Sequence, residues 1–330
     1  MGTYLHLFKT QNDFESVYSD EERYIEPWTS LVKENGNITF NKPIIPPHDY
    51  SQDYLTFKIQ SDGDIIWHAN ESVYAKTISY SKDDGKTWTE VIATTGTDKK
   101  ITVIAGDVVL FKGNNDSYIN NSFSGTTCEF EIEGNIMSLI NEISFNELTT
   151  FTTNNVFNGL FQCCKNLKRS ENLILPVTEL TNSCYNNMFY ECISLTTAPI
   201  LPATKMKDYC YCQMFTRCIS LTTAPELPAT TLANRCYYNM FVGCTSLTTA
   251  PELPATTLAY SCYYRMFNGC SSLNYIKCLA TDISATNCTQ SWVYGVPSST
   301  GTFVKNPNMT SWGSGYNGIP NGWTVQDATE

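Results

Sequence analysis

The 330-residue chain contains no run of about 18 consecutive apolar residues, so no segment reads as a membrane-spanning helix. Its opening, MGTYLHLFKTQNDFE, lacks a basic region followed by an apolar stretch and does not read as a secretory signal. His6 stands where a myristoylation motif needs serine or threonine. The expectation is a protein made in the cytoplasm and not exported by the usual route. Histidine is scarce: His6, His48 and His68 are the only three. A catalytic triad needs a histidine beside a serine or cysteine nucleophile. His48 follows two prolines and His68 lies in a strand-like run, so no catalytic residue is nominated. Phosphate-cradling loops of the GxxxxGK[ST] type are absent, and no cofactor is expected.

Positive charge is also sparse, with 21 lysines and arginines against 32 acidic residues and a net charge of −11. Residues 1–142 hold 22 acidic and 11 basic residues and so carry all of it, whereas residues 143–330 hold 10 of each. A nucleic-acid partner would demand clustered lysine and arginine. The acidic front half likewise argues against an anionic membrane surface. Neither nucleic acid nor membrane insertion is expected.

Four segments follow from composition. Residues 1–45 mix YLHLF, the acidic patch Ser19-Asp20-Glu21-Glu22 and the strand-like runs TSLV and NITF. That is too short and too charged to bury much alone, which suggests a docking arm. Pro43, Pro46 and Pro47 mark a linker. Residues 46–142 read as short strands, with alternation clearest in Tyr54–Gln60. Further candidates are Asp64–Ala69, Thr77–Tyr80, Thr87–Ala93, Lys100–Ile104, Val108–Phe111 and Cys128–Ile132. Asp62-Gly63, Asp84-Gly85 and Gly106-Asp107 are hairpin-turn candidates. Several short strands of this kind predict a small immunoglobulin-like β-sandwich.

Residues 143–278 repeat. ANRCYYNMFVGCTSLTTAPELPATTL is followed at once by AYSCYYRMFNGCSSL. Frame phenylalanines at Phe189, Phe215, Phe241 and Phe267 are 26 residues apart, with a looser copy at Phe161. Leucine recurs six residues on (Leu167, Leu195, Leu221, Leu247, Leu273) and twelve on (Leu173, Leu201, Leu227, Leu253). A period of this length predicts a solenoid of stacked units. SLTTAPELP reads as a short strand and turn, and CYYNMFVGC as a helix of one or two turns. Residues 279–330 break the period, carry Trp292, Trp312 and Trp323, and read as a cap.

Cysteine is plentiful, at 14. Cys184, Cys210, Cys236, Cys262 and Cys288 share one register; Cys164, Cys192, Cys218, Cys244 and Cys270 share another. Zinc needs converging ligand pairs two to four residues apart. The close pair Cys210 and Cys212 has no second pair beside it, and the histidines lie outside the array. Packing ladders of reduced thiols are the favoured reading, with some disulfides as the alternative and no metal expected. The tyrosine column Tyr185, Tyr211, Tyr237 and Tyr263 is read as packing with its hydroxyls at the rim, an aromatic binding strip being the alternative. Positions that change between copies suit selective contact better. These give a candidate recognition surface of Tyr190, Glu191, Gln213, Arg217, Tyr238, Asn239, Tyr264 and Arg265.

Ser81-Lys82-Asp83-Asp84-Gly85-Lys86-Thr87-Trp88 fits SxDxGxTW and resembles the Asp-box of sialidase-like propellers. Ser81 and Asp83 can bond the turn's amides, Gly85 supplies positive φ, Thr87 follows the turn and Trp88 packs beneath it. A single copy is a folding device and gives little support to a glycan-processing enzyme. The repeat MFVGCTSLTTAPELPATTL resembles BspA-like (Treponema-type) leucine-rich repeats, with a longer turn and Met-Phe where Ala-Phe is common. That resemblance implies a solenoid with a short-stranded parallel sheet, and roles in adhesion. YLHLFKTQNDFESVYSDEERYIEPWTSL, YSKDDGKTWTEV, VVLFKGNNDSY and TGTFVKNPNMTSWGSGYNGIPNGWTV are similar to proteins of gut Bacteroidales and their crAss-like phages. This implies a virion fibre, tail or decoration component. The expectation is a non-enzymatic virion protein of mixed, repeat architecture, docked to other virion proteins through residues 1–45. Its repeats would meet a host-surface protein or glycan, and a homo-oligomer such as a trimer would suit the role. The alternatives are a bacterial cell-surface adhesin and an accessory module of a glycan-processing enzyme.

Overall fold

The structure is a computed structural model that describes residues 30–34, 37–41, 49–68, 76–93, 96–119, 121–297 and 300–329. Two compact units are present, Met1–His48 and Asp49–Glu330. In the first, β1 (Ser30–Glu34) and β2 (Asn37–Asn41) pair antiparallel. The rest of the expected docking arm, the proline linker, His6 and His48 lie outside the described residues.

The second unit begins with strands where alternation predicts them: β3 (Leu55–Ile59), β4 (Gly63–Trp67), β5 (Lys76–Ser81), β6 (Thr89–Ala93), β7 (Lys99–Val103), β8 (Val108–Gly113) and β10 (Phe130–Asn135). Their arrangement is not the expected immunoglobulin-like sandwich. One sheet takes six strands, with β12 (Leu167–Ile174) at its edge, in the order β12-β10-β3-β8-β5-β6. Strands β4 and β7 pair only with each other, and the short β9 (Tyr118–Ile119) pairs with β11 (Phe157–Asn158). Of the three expected hairpin turns, only Asp84-Gly85 joins paired strands, β5 and β6. Asp62-Gly63 and Gly106-Asp107 each lead from one sheet to another. They are tied together by the Asp62 carboxylate, which accepts from the Ala105 amide at 2.9 Å.

The sheet does not stop at residue 142. β12 (Leu167–Ile174) lies parallel to β10, pairing Leu167 with Phe130 and Leu173 with Gly134. Gly134 is required there: its φ is +80°, and an added Cβ would sit 2.1 Å from the Tyr54 carbonyl oxygen. The apolar core is equally continuous. The ring of Phe57 stacks on Phe130 at 4.7 Å and touches Phe123 at 4.9 Å. Phe123 in turn stacks on Phe161 at 5.6 Å.

The expected leucine-rich-repeat solenoid, with a helix and a strand in every turn, is not what the repeats form. The described residues hold several small open sheets and no α-helix, only 3-10 turns at Tyr50–Gln52, Ile136–Leu139 and Phe145–Glu147. Between β12 and β13 (Tyr275–Cys278) there is no strand among them, only isolated parallel bridges such as Glu179–Lys205 and Lys205–Thr231. Proline is the reason. Pro199 and Pro202, Pro225 and Pro228, and Pro251 and Pro254 remove two donors from each middle copy. The strands form only where KRSENLI and YIKC replace that sequence.

In place of a helix, CYYNMFVGC and its copies fold as successive tight turns. Alternate amides bond within the copy, as Asn186 to Ser183 and Met188 to Tyr185 at 3.3 Å, and Tyr190 to Asn187 at 3.0 Å. The intervening amides bond to the next copy: Tyr185 to Cys210 at 3.0 Å, Asn187 to Cys212 and Phe189 to Met214 at 2.9 Å. An α-helix would satisfy all of these internally. Each turn needs a left-handed residue, and these recur every fourth position, at Ser183, Asn187 and Glu191, then Tyr209, Gln213 and Arg217, then Arg235, Asn239 and Gly243. Apolar pairs therefore also recur every fourth residue (Cys184-Tyr185, Met188-Phe189), close enough to the helical period to imitate it.

Copies stack through these bonds and their rings. Phe189, Phe215, Phe241 and Phe267 lie 5.5–5.8 Å apart and within 5° of parallel. The ladder starts before the repeats, since Tyr118 and Phe123 stack on Phe157 and Phe161. It also outlasts the side-chain period: Phe267 bonds to Trp292 and Gly269 to Tyr294, both at 2.8 Å. There Trp292 covers Tyr263 and Phe267, stacks on Trp312 at 5.6 Å, and donates its indole N–H to the Gly318 carbonyl at 2.8 Å. The chain closes with β14 (Thr302–Lys305) and β15 (Thr324–Asp327), parallel to β13.

Candidate recognition surface

The two cysteine registers and the tyrosine column Tyr185, Tyr211, Tyr237 and Tyr263 face inward. All 14 cysteines are free thiols, and all but the half-buried Cys163 are buried. Four thiols of one register donate to the frame carbonyl of the copy before them: Cys192 to Phe161, Cys218 to Phe189, Cys244 to Phe215 and Cys270 to Phe241, at 3.1 Å. The fifth, Cys164, donates to the Phe123 carbonyl at 3.2 Å. Burial pushes Cys210, Cys212, Cys262, Cys270 and Cys278 up to about 12. Such thiols stay protonated and unreactive at neutral pH. Among the described residues, no three His, Cys, Asp or Glu side chains converge as a metal site. The tyrosine column is a buried stack with 5.7–6.1 Å between rings. Its hydroxyls are not all at the rim, for those of Tyr185 and Tyr211 are buried without a hydrogen-bond partner.

The eight candidate residues are half-buried or exposed because the turns place them there, although Cys212 and Thr216, which also vary between copies, are buried. Left-handed positions alternate with the inward pairs, and Tyr209, Gln213, Arg217, Arg235, Asn239 and Arg265 all occupy them. Each such residue costs about 1–2 kcal/mol that glycine would not. At the position of Glu191 and Arg217 the later copies do carry glycine, namely Gly243, Gly269 and Gly295.

Two groups result. In the first, Arg217 donates to the Glu191 carboxylate at 2.7 Å, linking adjacent copies beside the half-buried Tyr190. In the second, Tyr238 and Tyr264 stack at 4.7 Å and 1°, with the Arg265 guanidinium 5.4 Å from the Tyr264 ring. Gln213 and Asn239 occupy the same register as Arg265, and the Gln213 amide bonds to the Tyr238 carbonyl at 2.8 Å.

Sequence reasoning missed the centre of the second group. Arg235 lies 5.3 Å from the ring of Tyr209, 5.9 Å from Tyr238 and 5.1 Å from Tyr260. It donates to the Tyr209 hydroxyl and, at 3.2 Å, to that of Tyr260. The Arg235 hydrogen bond draws the Tyr260 hydroxyl below its ordinary pKa. The signal was present: the residue before the register cysteine changes from Ser183 to Tyr209, Arg235 and Ser261.

The Asp-box forms a separate structure in the front half. Asp83 accepts from the Thr87 amide at 2.9 Å and the Thr87 hydroxyl at 2.7 Å, and Ser81 accepts from the Gly85 amide at 2.9 Å. The Thr87 hydroxyl, then its amide, then Ser81 hold the Asp83 carboxyl down at about 2. Asp84 and Gly85 take positive φ at the tip. Trp88 packs edge-on to Tyr54 at 5.0 Å beneath the Lys112 ammonium. The Asp83 and Ser81 acceptors are used within the hairpin, while Lys82 reaches out of it to Asp107 at 2.6 Å. Compared with known protein families, curated proteins and solved structures, the chain matches none.

Proposed function

We propose that this chain is a non-enzymatic structural protein of a phage virion, and that its stacked copies present a recognition surface to a host-surface protein or glycan. The observation that carries this reading is a division of labour within each copy. Residues that repeat are spent on the buried phenylalanine, tyrosine and cysteine columns. Most residues that change are partly or fully exposed, Cys212 and Thr216 being buried exceptions, and several hold left-handed positions where glycine would cost less. A stack of identical backbones carrying different outer side chains is suited to binding, because selectivity is tuned without disturbing the core. The acidic front half and neutral repeats support separate roles for the two ends, docking through residues 1–45 and recognition through the copies.

Mass spectrometry of purified phage particles tests the assignment. The expected result is this chain among the virion proteins, with its attachment lost when residues 1–45 are deleted. Recovery from bacterial envelopes and absence from particles would replace the virion assignment with that of a cell-surface adhesin.

A further inference from the structure

The described residues include four arginines. Arg169 pairs with Glu171 and Arg217 with Glu191. Arg235 and Arg265 make no ion pair among the described residues, and they are the two that stand against tyrosine rings. The row runs Arg235, Tyr238, Tyr264, Arg265 across adjacent copies, with Tyr209 and Tyr260 holding Arg235 from two further sides. An aromatic face beside a guanidinium restricts its orientation while leaving N–H edges free for a planar acceptor. Because Tyr238 and Tyr264 stack on each other, their hydroxyls and ring edges border the row and add groups that can both donate and accept. Fixed guanidinium donors flanked by phenol hydroxyls match a ligand that carries carboxylates on a polyhydroxylated frame. Phosphate-rich nucleic acid fits poorly, since it needs many clustered cations and the repeat half is neutral.

We propose that Tyr209, Arg235, Tyr238, Tyr260, Tyr264 and Arg265 form a binding site for an acidic glycan, a sugar chain bearing carboxylates. This rests on the recognition reading above and gives its partner a chemical class. Guanidinium pairs with carboxylate supply the charge-assisted bonds, and the tyrosine rim supplies hydrogen bonds to sugar hydroxyls. Three of the six, Tyr209, Arg235 and Arg265, hold left-handed backbone, as expected where side-chain placement outweighs local ease.

Calorimetric titration of the full chain with tetragalacturonate, its fully methyl-esterified form and a tetraglutamate peptide tests the proposal. Tetragalacturonate is expected to bind at least about tenfold more tightly than the ester and the peptide. Arg265→Gln should weaken it by about tenfold or more while the thermal midpoint stays unchanged, since Arg265 is exposed and supports no buried contact. Tyr264→Phe should weaken binding less. Equal binding of acid and ester, tighter binding of the peptide, no binding to tetragalacturonate, or an unaltered Arg265→Gln variant would each overturn the site. Adhesion of the full chain to host cells separates the two levels. Adhesion that persists unchanged in Arg265→Gln leaves recognition standing and removes this site, whereas no adhesion by the wild type removes the recognition reading itself.

Discussion

The front sheet and the stacked copies satisfy their backbones in opposite ways. In the six-stranded sheet, hydrogen bonds run sideways between strands distant in sequence, as from β3 to β8 and β10. In the copies the amides alternate, one closing a local turn and the next reaching the following copy. The first arrangement is intolerant at its crossing points, because the inner strands β10, β3, β8 and β5 have a neighbour on each side. The second leaves most residues at the left-handed positions, every fourth along a copy, partly or fully exposed. Function is therefore more easily placed on the ladder, and structural rigidity at the junction of sheet and ladder.

Gly134→Ala attacks that junction and carries the largest expected effect. The new methyl would meet the Tyr54 carbonyl at 2.1 Å, in a left-handed residue, with β12 paired alongside. Neither backbone can retreat without breaking the sheet, so a loss of about 5 kcal/mol or more is expected, comparable to the whole stability of many domains. Failure to recover folded protein, or collapse of the urea midpoint, is the predicted readout. A near-normal midpoint would show that the sheet does not clamp the ladder. Phe215→Ala removes one ring from the middle of the frame column, where neighbours lie 5.5 and 5.7 Å away. About 3–5 kcal/mol should be lost in the same denaturation experiment.

Alkali separates the two regions by chemistry. The sheet region holds Cys128, whereas the ladder holds columns of buried thiols and tyrosines. A thiol that titrates at 9.0 when unfolded and about 12 when folded has no effect on stability below pH 9. Above pH 9 the unfolded chain releases its proton and the folded chain does not, so stability falls as pH rises towards 12. The buried tyrosines, also pushed upward by burial, act in the same direction. Urea midpoints should be flat from pH 7 to 8.5 and fall steadily beyond about 9. Thiol reagents at pH 8 should modify few cysteines until denaturant is added. A midpoint level to pH 10.5, or rapid modification of the native protein, would mean that the columns are not buried.

The sequence and the structure agree where the determinants are local. Alternation at Leu55, Phe57 and Ile59 marks β3, and Asp83-Asp84-Gly85 marks the hairpin of β5 and β6, because both signals lie within a few residues. Pairing of β10 with β12 was not legible, since nothing in FEIEGN specifies a partner 37 residues away in the register of Phe130 and Leu167. The helix expected in CYYNMFVGC failed for a different reason. A four-residue spacing of apolar pairs is nearly the helical one, and the contrary evidence lay in the polar positions between them. Asn187, Asn239, Gly243 and Gly269 recur every fourth or twenty-sixth residue, where a helix interior disfavours both residue types. The same oversight hid Arg235, the left-handed residue at the centre of the tyrosine group.

The smallest predicted effect tests that explanation directly. Gln213 holds φ at +55° and is half-buried. If the turn dictates the left-handed backbone, Gln213→Gly should relieve about 1–2 kcal/mol of local cost. It should also lose roughly 0.5–1 kcal/mol by freeing the unfolded chain. The net expectation is a gain of about 0.5–1 kcal/mol, seen as a higher urea midpoint with an unchanged slope. A helix at this position predicts the opposite sign, since glycine inside a helix costs about 1 kcal/mol. The direction of a shift this small therefore decides between successive turns and a helix, and with them whether the outward side chains occupy the positions that the recognition surface requires.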